Sequence, residues 1–174
     1  MKFIEKSEWE SEFKEIIKGE AKAIKKEVEN IRRARSKPLP EDIEKKDYAA
    51  MIIAAKYKNF KEVGRSRSMD SPTGTHREDL HPLLEDALKQ AGRDLLKREI
   101  NIFKYVEVGK KRYFFGSCAE DDVAHKIITK YESSSHKYKK PQFKNLNEIC
   151  FTRAYRPRTL EREKCCIVCR TIFS

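Results

Sequence analysis

The placement of cysteine constrains this chain more than any other feature. Of its five cysteines, three are crowded into CCIVC as Cys165, Cys166 and Cys169, and a fourth, Cys118, sits in SCAE at Ser117–Glu120. The fifth, Cys150, falls in an apolar stretch and reads as a core residue. A disulfide framework spreads an even number of cysteines along a chain, whereas this set is odd in number and clustered. The N-terminus, MKFIEKSEWE, is charged throughout and lacks the apolar segment of a signal peptide. No apolar run approaches the ~20 residues that a membrane span needs. The expectation is a cytoplasmic or nuclear chain, or a delivered C-terminal domain of a longer exported protein, with no membrane partner. In a reducing compartment, clustered thiols favour a metal over disulfides.

The rest of the chain reads as a mixture of helix and strand. Residues 7–35 carry one apolar stripe, Phe13, Ile17, Ala21, Ile24, Val28 and Ile31, at steps of three and four. Ser7 and Glu10 have capping-box spacing at its start. SKPLPED breaks this helix. AAMIIAAKYKNFKEVGRSRS suits either a hairpin over 49–57 and 60–68 with Asn59 in the turn, or a helix extended through its alanines, and the hairpin is preferred. Residues 78–98 predict a helix with Pro82 in its first turn, where a missing N–H does no harm. Residues 102–108 and 112–115 predict a second hairpin through Gly109-Lys110, delivering the chain into SCAE. A helix follows with Val123, Ala124, Ile127, Ile128 and Tyr131 on one face. Asn147–Tyr155 reads as a strand, and a short final helix begins near CCIVC. This alternation predicts a three-layer α/β/α sandwich with a short mixed sheet over residues 47–174, preceded by an N-terminal helical extension over 1–46.

The net charge of +11 is uneven. Residues 133–174 hold ten Lys/Arg against three Glu, while residues 1–46 hold thirteen against eleven. A field concentrated in this way suits a polyanionic partner. The candidate phosphate contacts are Lys137, Lys139, Lys140, Lys144, Arg153, Arg156 and Arg158, with Tyr138, Phe143 and Tyr155 as candidate stacking surfaces.

The order of the motifs has a chemical logic. A zinc ion in a catalytic site takes three protein ligands and keeps a fourth position for water. A Cys-x-x-Cys at one helix start and Cys118 at another could aim three thiolates at one point, where helix dipoles favour the ionised form. Glu120 would then stand beside the metal and move protons. Several alternatives stay open. Glu120 and Ser117 have capping-box spacing, so Glu120 could only secure its helix. Cys165 could replace Cys166 as a ligand, although it more naturally points elsewhere. HRE at His76–Glu78 could replace Cys118 and Glu120. His125 reads as a surface or packing residue.

These pieces resemble the cytidine deaminase-like superfamily, and within it the bacterial toxin branch typified by the YwqJ-like deaminases. The resemblance rests on the paired-strand segment, HPLL at His81–Leu84, SCAE at Ser117–Glu120 and the terminal CCIVCRTIF. It covers roughly residues 49–174. Cys165 stands where the superfamily commonly has proline, and the chain ends soon after Cys169, as the toxin branch also does. The resemblance implies Zn²⁺ held by Cys118, Cys166 and Cys169, with Glu120 as the proton shuttle. It also implies hydrolytic deamination of a nucleobase, cytosine foremost, in nucleic acid or a nucleotide. A protein inhibitor is implied if the chain is a toxin. Two other functions compete with this one. One is a zinc-stabilised module that binds nucleic acid or protein without catalysis; the other is a metal-free basic binding protein with incidental cysteines.

Overall fold

A computed structural model of the chain describes residues 1–34, 51–66, 80–102, 105–108, 111–134, 141–157 and 159–174. It is a mixed α/β protein. In chain order the described elements are β1 (Lys2–Phe3), α1 (Lys6–Glu12), α2 (Lys14–Ala34), β2 (Ile52–Tyr57), β3 (Phe60–Arg65), α3 (Pro82–Leu96), β4 (Tyr105–Val108), β5 (Lys111–Phe114), α4 (Ala119–Ser133), a 3₁₀ turn (Leu146–Glu148), β6 (Cys150–Phe151), β7 (Ala154–Tyr155), β8 (Arg162–Glu163) and α5 (Ile167–Ile172). No helix among the described residues is long and apolar enough to cross a membrane.

The main sheet follows the path β1-β6-β2-β7-β8, and β3 pairs with the other edge of β2. Its pairings are antiparallel except for β1 with β6, where Phe3 lies opposite Phe151. The centre is β2. Its sequence IIAAKY does not alternate because both of its faces are covered. Ile52 and Ala54 meet Phe13, Ile17, Ala21 and Ile24 of the N-terminal helices, together with Tyr155. Ile53, Ala55 and Tyr57 belong to a larger core built with Leu84 and Leu88 of α3, Val123 and Ile127 of α4, and Val168, Cys169 and Phe173 at the C-terminus. The predicted hairpin over 49–68 is thus present as β2 and β3.

Four elements depart from the sequence reading. The predicted first helix is two helices that meet at Phe13, and its cap is Glu5, with no side-chain capping bond. Ser7 therefore falls inside the first turn, two places too late to cap. The second hairpin forms a separate two-stranded sheet, with Val108 opposite Lys111. The N-terminus adds β1 to the main sheet, and Ile4 N–H extends the pairing to Phe151 O at 2.8 Å. Finally, the strand predicted over 147–155 is interrupted. Phe151 pairs with Ala55 but Tyr155 pairs with Ile52, so one extra residue is accommodated between them as a β-bulge. At the bulge the Thr152 hydroxyl stands in for a backbone carbonyl, accepting from Ala54 N–H at 3.1 Å, while Thr152 N–H donates to Ala54 O at 2.9 Å.

Three contacts seat α4. Gly64 of β3 lies directly under its first turn; a Cβ there would stand 2.2 Å from Ala119 O and 2.6 Å from Val123 N. Arg65 N–H donates to the Asp122 carboxylate at 2.9 Å, and Lys126 donates to Val63 O at 2.8 Å. The Arg65 side chain reaches the other way, to Glu20 and Glu27 of α2. At the far end of α4, Glu132 accepts from Phe143 N–H at 2.9 Å and meets the ring of His81, which caps α3.

Two substitutions test these joints. Gly64→Ala forces α4 off β3 and lowers the denaturant midpoint by the equivalent of about 1–3 kcal/mol. Thr152→Val keeps the side-chain shape but leaves Ala54 N–H buried without its acceptor, and costs about 1–3 kcal/mol in the same measurement.

Candidate metal centre

The chain enters the centre from β5. Phe115 is buried, and Gly116 takes a left-handed φ of 86°, which suits glycine. Cys118 is then the N-cap of α4 and Cys166 the N-cap of α5. Two helix starts, far apart in sequence, thus meet at one place. The Sγ atoms of Cys118, Cys166 and Cys169 all lie within 4.8 Å of one another, with Cys118 and Cys166 3.6 Å apart. Tetrahedral coordination at a Zn–S length of 2.3 Å separates two sulfurs by about 3.8 Å. The three thiols therefore fit a zinc ion, and the sequence-predicted ligands are brought together.

The electrostatics suit a thiolate centre. The Cys118 and Cys169 thiols both donate toward Cys166, which also accepts backbone N–H bonds from Cys169 and Val168; this brings the Cys166 pKa down to about 3. Cys169 N–H lies 3.4 Å from that sulfur. The donating partners shift the opposite way: the bond to Cys166 holds Cys118 well above the usual thiol range, and the bond to Cys118 does the same for Cys169.

Glu120 is 5% exposed, and burial pushes its carboxyl above the ordinary value. It is outside the capping box, although its carboxylate accepts its own backbone N–H in that first turn. Cys118, rather than Ser117, is the N-cap, and its N–H donates to Asp121 at 3.3 Å. A carboxylate oxygen of Glu120 lies within 4.8 Å of the sulfurs of Cys165 and Cys169. Cys165 thus points into the centre, contrary to the sequence expectation, and is 9% exposed. The three-thiol group itself contains neither Cys165 nor Glu120.

The remaining candidates are dispersed. Cys150 is partly exposed on β6 and outside both groups. His125 accepts from His81 N–H at 3.0 Å and ties α4 to the start of α3. Phe143 packs with Tyr57 and Tyr131, and Tyr155 stacks on Trp9 at 5.2 Å. Lys144 is exposed. Arg156 pairs with Glu163 at 2.5 Å, and Arg153 lies over the Phe3 ring at 4.2 Å, on the sheet face away from the cysteines. Lys137, Tyr138, Lys139, Lys140 and Arg158, and the HRE motif at His76–Glu78, fall outside the described residues. Sequence reading missed Asp121 as the capping acid and Gly64 as the seat of the helix. The Ser/Thr/Asp/Asn preference at caps favours Ser117 in the sequence, whereas Cys118 is the cap in the structure.

Compared with family models, with curated proteins and with solved structures, the chain matches none.

Metal content tests the geometry directly. Purified chain is expected to carry about one zinc, lost in Cys118→Ser and in Cys166→Ser and kept in Cys150→Ser, by elemental analysis with free-thiol titration alongside. Zinc that survives Cys118→Ser would separate the two cysteine-bearing segments.

Proposed function

We propose that this chain is a zinc-dependent hydrolytic deaminase of a nucleobase, cytosine foremost, in nucleic acid or a nucleotide, of the toxin-domain kind. Under this reading the sheet and its helices are a three-layer α/β/α sandwich of the cytidine deaminase-like type, with residues 1–46 added to it. One observation carries the proposal: a buried glutamate, outside the Cys118–Asp121 capping box, lies beside a three-thiol group that does not include it. This is what a proton carrier adjacent to a metal requires.

Cys118, Cys166 and Cys169 would hold the zinc. A zinc with three protein ligands supplies a water whose pKa is brought near neutrality. Glu120 accepts a proton at its carboxylate and delivers it to the base, so that water and cytosine become uracil and ammonia. The first turn of α4, pressed on Gly64 and tied through Asp122 to Arg65, keeps that carboxylate in place. Burial of Glu120, Asp121 and Asp122 excludes bulk water from the inner side of the site.

Cys165 favours a second reading. Its buried sulfur near Cys169 could close the coordination, giving a structural zinc in a binding module. Two substitutions separate the readings. Glu120→Gln is expected to keep the zinc and to lower turnover of single-stranded DNA, RNA or cytidine at least about 100-fold. Cys165→Ser is expected to keep both zinc and activity. Loss of zinc from Cys165→Ser, with no deamination by the parent chain, would establish the structural site instead.

A further inference from the structure

On the sheet face away from the cysteines, a cleft of about 290 Å³ opens between β1, α1, β7 and β8. Phe3, Glu5, Trp9, Arg153, Tyr155 and Arg162 line it. The β-bulge at Thr152 creates this arrangement. Ile149 and Phe151 face the large core, whereas Tyr155, which would follow them on an unbroken strand, faces the N-terminal helices. Arg153 lines the cleft with Tyr155 on that same side. Arg162 lies directly opposite Tyr155 across the β7–β8 pair. Arg153, one residue before β7, and Arg162 are therefore placed as diagonal neighbours on one face, a spacing that brings two side chains of this length within reach of each other's ligands.

Both arginines are exposed, and neither has a carboxylate partner among the described residues. Arg156, on the neighbouring position, is neutralised by Glu163. Glu5 is the one acidic residue of the lining, so the cleft keeps a net positive charge. Its floor is aromatic. Phe3 is 38% exposed and carries the Arg153 guanidinium on its ring, and Trp9 stacks on Tyr155 at 5.2 Å with an interplanar angle of 21°.

We propose that this cleft binds single-stranded nucleic acid, with Arg153 and Arg162 on neighbouring phosphates and an unpaired base against Phe3 and Trp9. Guanidinium groups pair with phosphate oxygens bidentately, and aromatic faces accept any base. The cleft is half-open, which suits one unit of a polymer lying across it, since a small nucleotide requires a pocket that encloses most of its surface. A duplex hides its base faces and leaves the aromatic floor unused. The site is separate from the thiol group, and it stands whether or not the chain deaminates.

Trp9 is the only tryptophan of the chain, so its emission reports on the cleft alone. The full chain is titrated with oligothymidylate of about 12 nucleotides, a length within the range that single-strand binders cover. The expected result is saturable quenching of Trp9. Arg153→Ala/Arg162→Ala weakens binding at least tenfold and reduces the slope of log K against log salt by about 1.4, two phosphates at about 0.7 each. Arg153→Lys/Arg162→Lys keeps most of that slope. Absence of quenching, unchanged affinity in the double alanine variant, or equal affinity for thymidine monophosphate or duplex DNA would each overturn the proposal. The readout needs neither zinc nor turnover, so its failure is distinct from failure of the deaminase reading.

Discussion

The approach of α4 to β3 at Gly64 is the constraint on which the candidate metal centre depends. Packed helices and strands normally stand apart by the width of their side chains, and here one partner contributes only hydrogen. The close approach lets the Asp122 carboxylate reach a β3 backbone N–H, and so fixes the start of the helix relative to the sheet. Three consecutive acids, Glu120, Asp121 and Asp122, are buried in that first turn. Asp121 closes the cap and Asp122 joins the strand and Lys126. Glu120 is left directed at the sulfurs. Burying such a run is costly unless each carboxylate is placed at donors or at a functional centre, and the N-terminal end of a helix dipole offsets part of that cost.

The N-terminal segment is part of the same structure. Its stripe of Phe13, Ile17, Ala21 and Ile24 covers one face of β2, and without it Ile52 and Ala54 would be exposed. The Arg65 side chain holds Glu20 and Glu27 of α2 while its backbone holds Asp122 of α4. One residue at the end of β3 therefore links the N-terminal helix to the helix that carries Cys118 and Glu120.

Helix periodicity was readable where a helix buries a single face, as in α2 and in α4 beyond its fully buried first turns. The central strand was ambiguous for the opposite reason: with both faces covered, IIAAKY has no alternation to distinguish it from a buried helix. The joining of Cys118 to Cys166 and Cys169 was legible because helix starts impose geometry on nearby side chains. Cys165 was not, because its direction is set by the turn from β8 into α5, where no period applies. The same holds for the bulge. NEICFTRAY reads as one strand with residues 151, 153 and 155 on one face, and only the pairing of Tyr155 with Ile52 shows that the face changes.

That change of face separates the positive charge from the thiols. Along an unbroken strand, Arg153 would have faced the core that contains Cys165 and Cys169, where an unpaired guanidinium is too costly to bury. The extra residue at Thr152 moves it to the other side, over Phe3. The two faces stay connected through β8. It carries Arg162 into the cleft on one side of the sheet, and the chain then passes through Lys164 to Cys165 and Cys166 on the other. The segment from 162 to 166 is therefore continuous between the strand that lines the cleft and the helix start that carries the candidate ligands Cys166 and Cys169.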